Sequence, residues 1–468
     1  MKRLALLIVV GLASACASVP RDAGVSDIKQ AVSDRTGQTV EWKAAPSNAD
    51  DPRVRELLQG ELTADKAVAV AMMNNPRLQA TLAELGIARA DLLRASLVRN
   101  PLFEAEVRFP SDPFRPYELR LAQTLVDLIQ LRRRQALGRA AFNAATLRVT
   151  YEVVRFAADV RAQYFDVLAA SQRVAQSRMS LEAARASAEL AQRQHEAQNI
   201  TDLDLENEQA EYEQAKLDVA REEQALLIAR EALLRAMGLR DTSIDWRLPQ
   251  AFPPLPASEQ DQQQLEQLAA SRRLDIEIAR REVEIARQHV PLARLAALGD
   301  ITVDGHLQRD ASGTKTVGPG IEVPIPIFNT GAPARSRAEA EYLRVSHALN
   351  ALLAESSSQL RAARATVAEA RARLEYYRDV IVPRRQRIVE LTKLEHNAML
   401  VGVFQLLQAK RNETKAQRDF IDAQRDYFSA RNNLDRALNG VVTRTTFMSS
   451  TDQSSGTGTS TTSPEGGQ

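Results

Sequence analysis

The sequence predicts a mostly helical protein with a small transmembrane β part, and three observations lead to this prediction. The 468 residues are 26% charged and only 5% aromatic, and alanine, arginine, glutamate, leucine and glutamine dominate, a composition typical of long helices. Residues 61–240 and 262–440 follow the same plan of helix, two short strands, long helix and closing helix. Period-two alternation marks the four strands. We therefore expect long coiled-coil helices joined to four strands per chain.

The N-terminal residues have the pattern of an exported, lipid-anchored protein. Residues 1–15 combine a basic start, an apolar stretch and small residues, as a secretory signal peptide does. Cys16 follows and is the chain's single cysteine, so an intramolecular disulfide is excluded. The segment resembles a bacterial lipobox, although Ala13 stands where that motif usually has leucine. The resemblance implies lipidation of Cys16 at the start of an extended segment, residues 16–60; an ordinary signal with a free thiol is the alternative.

Helix lengths in the first repeat predict a tall helical wall. The long helix, residues 126–200, would extend about 110 Å at 1.5 Å per residue. The opening helix 63–98 and the closing helix 203–238 each cover about half of that distance. Two half-helices stacked end to end would therefore match one long helix. The second repeat gives the same balance, with its long helix at residues 331–401.

The closing helices carry apolar residues seven apart, which indicates left-handed supercoiling of long antiparallel helices. In the first repeat these positions are Leu205, Tyr212, Val219, Leu226 and Leu233. The second repeat adds an alanine seam, which predicts close helix approach, at Ala409, Ala416, Ala423, Ala430 and Ala437.

Four short runs alternate between apolar and polar residues. They are predicted as strands 102–109, 117–125, 300–308 and 316–325. Such alternation suits a membrane strand with one face toward lipid and the other toward a lumen. A small soluble sheet is the alternative. Four strands cannot close a barrel alone, so the membrane interpretation requires several chains.

The remaining segments join or flank the two repeats. Residues 241–261 are rich in proline and form a non-helical connector. The serine-, threonine- and glycine-rich tail, residues 441–468, is expected to be disordered. After the signal, no run of about 18 apolar residues occurs, so no transmembrane helix is expected.

Charge and motifs exclude several classes of function. The net charge of +1, from 61 basic and 60 acidic residues, gives no basic field for nucleic acid. The sequence has no Ser/His/Asp, GxGxxG or P-loop signature, so we predict no catalytic site, no cofactor and no enzyme. The five histidines lack metal-ligand spacing, and no metal site is predicted.

Three motifs resemble the TolC-like outer-membrane factor family, in its lipoprotein branch. They are the segment that starts at Asn74-Asn-Pro-Arg-Leu, the turn after Ile321-Glu-Val-Pro-Ile-Pro, and the two helix ends, Ala-Met-Gly-Leu and Ala-Leu-Asn-Gly. The resemblance covers about residues 60–440. It implies a homotrimer whose chains form one 12-stranded β-barrel in the outer membrane, with a helical barrel in the periplasm. It also implies efflux of small molecules or metal ions, with a periplasmic adaptor and an inner-membrane pump as partners.

The resemblance further implies that the two helix–helix turns, residues 198–204 and 399–405, form a periplasmic gate. Its second-turn positions fall on Gln405 and Gln408, where the family often has aspartate. The first turn carries Asp202 and Asp204, which could form a cation-selective mouth in three copies. Solvated acids in the first turn of a helix are the simpler interpretation, because the helix dipole favours them there.

A lipid-anchored periplasmic coiled-coil scaffold or pump adaptor is the main alternative. An adaptor would have one helical hairpin flanked by small β-domains, whereas this chain repeats a helix–strand–helix unit. The exported substrate and the identity of the pump are not encoded in any motif of this sequence.

Overall fold

The fold consists of long antiparallel helices with a four-stranded sheet at one end. The computed structural model describes residues 25–42, 51–109, 115–239, 246–259, 261–296, 299–310, 312–325, 327–328 and 330–441. The first repeat contains α3 (Ala64–Asn74), α4 (Pro76–Ser96), β1 (Leu102–Val107), β2 (Tyr117–Thr124), α5 (Val126–Glu196) and α6 (Asp202–Met237). The second contains α7 (Gln262–Arg272), α8 (Leu274–Ala296), β3 (Thr302–Arg309), β4 (Lys315–Glu322), α9 (Ala332–Tyr376), a π-helical turn (Tyr377–Ile381), α10 (Val382–Asn397) and α11 (Val403–Asn439).

The prediction of a mostly helical chain with four strands is confirmed, since the described residues are mostly helical and contain four antiparallel strands. The 71 residues of α5 extend about 107 Å. No helix among the residues that the structure describes is long and apolar enough to cross a membrane. Cys16, the signal peptide and most of the tail lie outside the described residues.

The expectation of an extended segment over residues 16–60 was wrong for its described part, which contains two further helices. They are α1 (Ser26–Thr36) and α2 (Pro52–Leu58). Ile28 and Val32 of α1 are four residues apart and fully buried, so this helix packs an apolar stripe against α5. Asp51 caps α2, because its side chain accepts a hydrogen bond from the Arg53 amide. The buried apolar residues of α1 are spaced as in an amphipathic helix, but this short pattern was not evident in the mixed polar composition of the segment.

Each opening helix is divided where one continuous helix was expected. Asn75 separates α3 from α4, and its side-chain oxygen accepts from the amides of Arg77 and Leu78, so it caps α4. Pro76 then occupies the first position of α4, where its missing N–H costs nothing. Arg273 occupies the corresponding break between α7 and α8. The half-helices are therefore two helices each, joined at a capped bend.

The core lies at mid-length of the helices, where both repeats and the connector meet. Phe165 of α5, Phe252 of the connector and Phe428 of α11 stack, with centroid distances of 4.7 to 6.2 Å. Tyr164 and Tyr427 pack edge-on against this stack and are almost fully buried. This aromatic cluster fixes the two repeats to each other.

The heptad positions pack as expected in both closing helices. In α6, Val219 and Leu233 are buried. In α11 the whole alanine seam is buried, which allows close approach of neighbouring helices. The heptad position Glu413 is also buried, and Lys410 Nζ binds its carboxylate at 2.6 Å.

Candidate functional site

The strand sheet is the first part of the candidate site, and one of its faces is mainly apolar while the other is mainly polar. The order is β1-β2-β3-β4, and all neighbours are antiparallel. Because side chains alternate along each strand, the register assigns every position to one face. The apolar face includes Phe103, Val107, Leu119, Leu121, Val303, Leu307, Val317 and Ile321. The polar face includes Glu104, Glu106, Glu118, Arg120, Asp304, His306, Gln308 and Thr316.

The apolar face is exposed to the surroundings of the chain. Phe103, Val317 and Ile321 have exposed fractions of 64%, 76% and 69%. A soluble monomer rarely leaves a contiguous apolar patch of this kind uncovered. The outer strands β1 and β4 also have one unpaired edge each within this sheet. The sheet is therefore suited to a lipid environment and to pairing with further strands.

Charged side chains are linked across the polar face. Arg120 donates to Asp304 at 3.1 Å and to Glu322 at 3.2 Å, so one cation connects β2, β3 and β4. Gly318 and Gly320 make room for this arrangement. A Cβ at Gly320 would lie 2.7 Å from an Asp304 oxygen, and one at Gly318 would lie 3.2 Å from the His306 ring. On this face, acidic residues outnumber the single arginine, Arg120, so the polar face is negatively charged.

An ion-pair cluster joins the strands to the long helix. Arg99 precedes β1 and binds both Asp127, in the first turn of α5, and Asp300, just before β3. Arg134 adds a second cation to Asp127 at 3.2 Å. The hydrogen bond from the Arg99 guanidinium lowers the pKa of the Asp127 carboxyl. This cluster fixes the direction in which the sheet leaves the helices.

The two helix–helix tips have the same backbone geometry. The first helix of each hairpin ends with a residue in the left-handed conformation, Gln198 (φ 58°) and Met399 (φ 57°). At each tip the next amide then donates back to a carbonyl of the preceding turn, from Asn199 at 2.8 Å and from Leu400 at 2.9 Å. These paired residues are 201 positions apart, the same offset that relates the first residues of α6 and α11, Asp202 and Val403.

The four predicted gate residues lie at these tips and make different contacts. Asp204 accepts from the amide and hydroxyl of Thr201, so its carboxylate belongs to a capping box of α6. Gln405 caps α11 in the same way, because its Oε1 accepts from the Gly402 amide at 2.8 Å. Asp202 has an exposed side chain (95%). Gln408 donates to Asn412 at 3.4 Å, one turn further along α11.

The tips differ in surface chemistry. At the first tip, His195 Nε2 lies 2.6 Å from an Asp202 oxygen. At the second tip, the Nδ1–H of His396 donates to the Val401 carbonyl at 3.1 Å. Met399 and Leu400 of the second tip are 94% and 76% exposed. The first tip therefore presents the charged Asp202 beside the exposed Leu203, whereas the second presents the apolar Met399 and Leu400.

Comparison with known proteins identifies the family. A model of the outer membrane efflux protein family matches residues 265–440, which include α8, β3, β4 and the second hairpin. The chain is 29% identical over 329 residues to the cobalt-zinc-cadmium resistance protein CzcC of Cupriavidus metallidurans, covering 66% of this chain and 75% of that protein. The second repeat of the chain therefore matches the outer membrane efflux protein family. The resemblance to TolC-like outer-membrane factors is thereby confirmed.

Solved structures share the fold of this efflux protein. A crystal structure of CusC has a TM-score of 0.66 at 17% identity and covers 86% of this chain and 98% of its own. A membrane protein from Pseudomonas aeruginosa gives 0.67 at 22% identity, covering 86% and 99%. VceC from Vibrio cholerae gives 0.66 at 16% identity, covering 81% and 96%. The chain therefore has the fold of these membrane proteins.

The structure of this efflux protein also contains an ionic network that the sequence reasoning missed. Arg418 of α11 pairs with the buried Glu222 of α6, and Arg411 pairs with the buried Glu208 at 3.4 Å. The signal was present, since the two glutamates lie fourteen positions apart and the two arginines seven apart. Charged residues at heptad spacing on facing helices indicate a fixed interhelical contact.

The residues that the structure describes contain no candidate metal centre. Among them, no three histidine, cysteine, aspartate or glutamate side chains are grouped so that they could hold a metal ion. His306 lies on the polar sheet face with its Nδ1 3.8 Å from Asp304.

Proposed function

We propose that the chain is the outer-membrane channel component of a tripartite efflux system, in which three copies form one tunnel. The exposed apolar face of the strand sheet carries this proposal. One chain leaves that face uncovered and both outer strands with an unpaired edge. Lipid would cover the apolar face, and neighbouring copies would pair with the edges. Three chains with four strands each would give the 12-stranded barrel.

The helical part supports the same assembly. A single helix of about 107 Å, packed against shorter helices, is much longer than a compact domain requires. In the proposed trimer these helices form a periplasmic tunnel, and the polar sheet face lines its continuation through the outer membrane. A periplasmic adaptor and an inner-membrane pump would complete the system. The chain's role is passive conduction, without catalytic residues or a cofactor.

We further propose that the two tips close the periplasmic end of the tunnel. Asp202 is the best placed of the four predicted gate residues to act electrostatically, because its side chain is exposed. Asp204 and Gln405 are engaged in helix caps and would hold the tip geometry. Gln408 would line the wall behind the second tip. Replacing Asp202 by asparagine should lower the preference of the pore for cations, whereas Gln408→Ala should leave it unchanged.

The proposed cargo is metal ions or small molecules. CzcC is a cobalt-zinc-cadmium resistance protein, and its similarity to this chain favours metal ions. Cells that express the chain together with its own pump and adaptor should tolerate zinc, cobalt or cadmium better than cells without the chain. Equal tolerance to these metals, with a difference for organic compounds, would assign the cargo to small molecules instead.

Lipidation of Cys16 belongs to the same proposal and supplies its test. The purified chain should be found in outer-membrane fractions and should form pores in planar lipid bilayers. Cys16→Ala should keep both properties, because the strands hold the protein in the membrane without the lipid. Mass spectrometry of the mature N-terminus should show acyl chains on Cys16 in the native protein. A Cys16→Ala protein that is soluble, monomeric and non-conducting would rule out the channel and favour an anchored scaffold.

A further inference from the structure

A cavity lies between three helices, close to the strand sheet. It has a volume of about 480 Å³ and is formed by α8 together with α5 and α9, which pack on either side of it. Three basic side chains line the cavity, one from each helix: Arg134 of α5, His289 of α8 and Arg337 of α9. Arg134 and Arg337 lie within the first three turns of helices that follow the strands β2 and β4. Basic groups from three separate helices therefore share one space near the sheet.

Positive charge prevails in this cavity. Among the described residues that line it, Glu341 is the single acid, and Arg344 already donates to both of its carboxylate oxygens, at 2.5 and 2.9 Å. Arg337 is exposed and forms no salt bridge with any residue that the structure describes. Arg134 binds Asp127 through one nitrogen, and a guanidinium has five N–H donors. Both arginines therefore have N–H groups that can bind an anion.

The rest of the cavity lining is mostly apolar. Small side chains on the facing surfaces of α8 and α9 leave the space open: Ala286, Ala293, Ala334 and Ala338, with Leu292 beside them. Apolar walls with a few polar groups are typical of sites for small organic molecules. A bare inorganic anion would leave these walls without a contact. The lining therefore suits an anion that carries an apolar body.

The corresponding place in the first repeat has different charges. Asp91 and His289 each lie sixteen residues after the break in their opening helix, at Asn75 and Arg273, so the two positions are equivalent. The cavity between α4 and α5 is lined by two acids, Glu84 and Asp91, and one arginine. Its volume is about 260 Å³. The large basic cavity is therefore a feature of the second repeat and does not follow from the shared order of helices.

Ion pairs place this cavity on the polar side of the strand sheet. Arg134 binds Asp127, and Arg99 joins Asp127 to Asp300. Asp300 is four residues before Asp304, which lies on the polar face, and side chains at even spacing along an extended segment share a face. In the proposed channel the polar face lines the lumen. The cavity would then open into the tunnel, next to the barrel.

We propose that this cavity binds organic anions, namely carboxylates, sulfonates or phosphates with an apolar body, inside the tunnel. Arg337 and Arg134 donate N–H groups to the anionic oxygens, His289 supplies a third donor, and the alanines contact the apolar body. Three copies would place three such sites next to the negatively charged sheet face, which repels anions. The position in the tunnel rests on the proposed channel function, whereas binding to the cavity does not.

Calorimetric titration of the full chain, purified in a non-ionic detergent, tests the site with 2-naphthalenesulfonate as the probe. Arg337→Gln should weaken binding by about fivefold or more, because it removes charge-assisted hydrogen bonds to the sulfonate. Arg132→Gln is the matched control, since Arg132 is also an exposed arginine near the start of a long helix but does not line the cavity. Its affinity should equal that of wild type. The neutral 2-naphthol should show no difference between the three proteins.

Conduction separates the site from the channel. In planar bilayers, 2-naphthalenesulfonate should lower the wild-type current at concentrations that leave the current of Arg337→Gln unchanged. Equal affinity of wild type and Arg337→Gln for the sulfonate would overturn the site while a conducting wild type still supports the channel. Binding that depends on Arg337, in a wild-type protein that does not conduct, would instead overturn the channel function and the position in a tunnel, and would leave the anion site.

Discussion

The two repeats have the same order of helices and strands, but different side-chain contacts stabilise their equivalent positions. At the bend between the opening helices, the first repeat uses a buried amide and the second a buried ion pair. At the long helix, the first repeat is regular over 71 residues and the second contains a π turn. At the tip, the first is capped by Thr201 with Asp204 and the second by Gln405 alone. The two repeats thus share their order of helices and strands, while different side-chain contacts stabilise equivalent positions.

The bends show how one geometry is reached in two ways. The Asn75 amide donates to the carbonyls of Arg235 and Ala236, so it caps α4 and the end of α6 together. Arg273 forms a paired hydrogen bond with Asp275 and also donates to the Ser356 carbonyl of α9. The first bend is therefore neutral, whereas the second depends on a buried charge.

The largest effect is expected at the aromatic cluster that joins the repeats. Phe428 is buried in the stack, whereas Leu227, its counterpart in the first repeat, is 60% exposed. Phe428→Ala should lower the free energy of unfolding by about 4 kcal/mol, because it leaves a cavity in a packed core. Leu227→Ala should change it by less than about 0.5 kcal/mol. Denaturant unfolding followed by circular dichroism measures both, and equal losses would refute the assignment of the core.

The two bends should respond differently to truncation. Arg273→Ala leaves the mostly buried Asp275 carboxylate without its cation and should cost about 3 kcal/mol of unfolding free energy. Asn75→Ala removes a cap and neutral hydrogen bonds and should cost about 2 kcal/mol. The same denaturant titrations distinguish them. A larger loss of unfolding free energy in Asn75→Ala than in Arg273→Ala would contradict this, because the ion pair at the second bend would then contribute less stability than the neutral hydrogen bonds at the first.

The ion-pair cluster at Asp127 should make stability depend on acid pH. The pKa of Asp127 is lower in the folded chain than its unfolded value of about 3.9. Its contribution is therefore present above pH of about 4 and is lost as the pH falls through the folded pKa. Asp127→Asn should cost about 2 kcal/mol at neutral pH.

Unfolding at several pH values tests the cluster further. The difference between wild type and Asp127→Asn should shrink as the pH is lowered below about 4. Asp300→Asn, in which the lost partner is 60% exposed, is the control and should cost less. A difference between wild type and Asp127→Asn that stays constant with pH would argue against the ion pair as the source of the stability.

The smallest effect is expected at the tips. Thr201→Ala removes a side-chain cap and should destabilise the first turn of α6 by about 1 kcal/mol. Gly402 has an extended backbone and nothing close to a substituted Cβ except the Gln405 side chain, so Gly402→Thr should stabilise α11 by a few tenths of a kcal/mol. Hydrogen exchange of the first-turn amides reports both changes. Changes of the same sign in the two variants would mean that the tips are not capped as described.

The sequence predicted the helices and strands well because each has a strong period. Alternation in the strands assigned Phe103 and Val317 to one face and Glu104 and Asp304 to the other, and the register confirms this. The closing helix of the first repeat, expected at residues 203–238, begins and ends one residue earlier, at Asp202–Met237. When buried residues recur at a fixed spacing over many positions, few alternative secondary structures are compatible with the sequence.

Features that depend on contacts between distant segments were not predictable. The amphipathic spacing of α1 spans only three turns, so its burial against α5 is not evident from the sequence. The π-helical turn Tyr377–Ile381 is followed closely by Pro383, and whether a proline breaks, kinks or widens a helix depends on its surroundings. At the tips, the use of Asp204 in a capping box depends on the backbone conformation of Thr201.

If the apolar face of the strand sheet lies in lipid, two neighbouring residues of β4 should differ in their contact with acyl chains. Val317 is on the apolar face and Thr316 on the polar face. Tryptophan introduced at each position, in the full chain reconstituted in vesicles with brominated lipids, reports contact with acyl chains through fluorescence quenching. We expect strong quenching for Val317→Trp and little for Thr316→Trp. Equal quenching at both positions, or none at Val317→Trp, would contradict it.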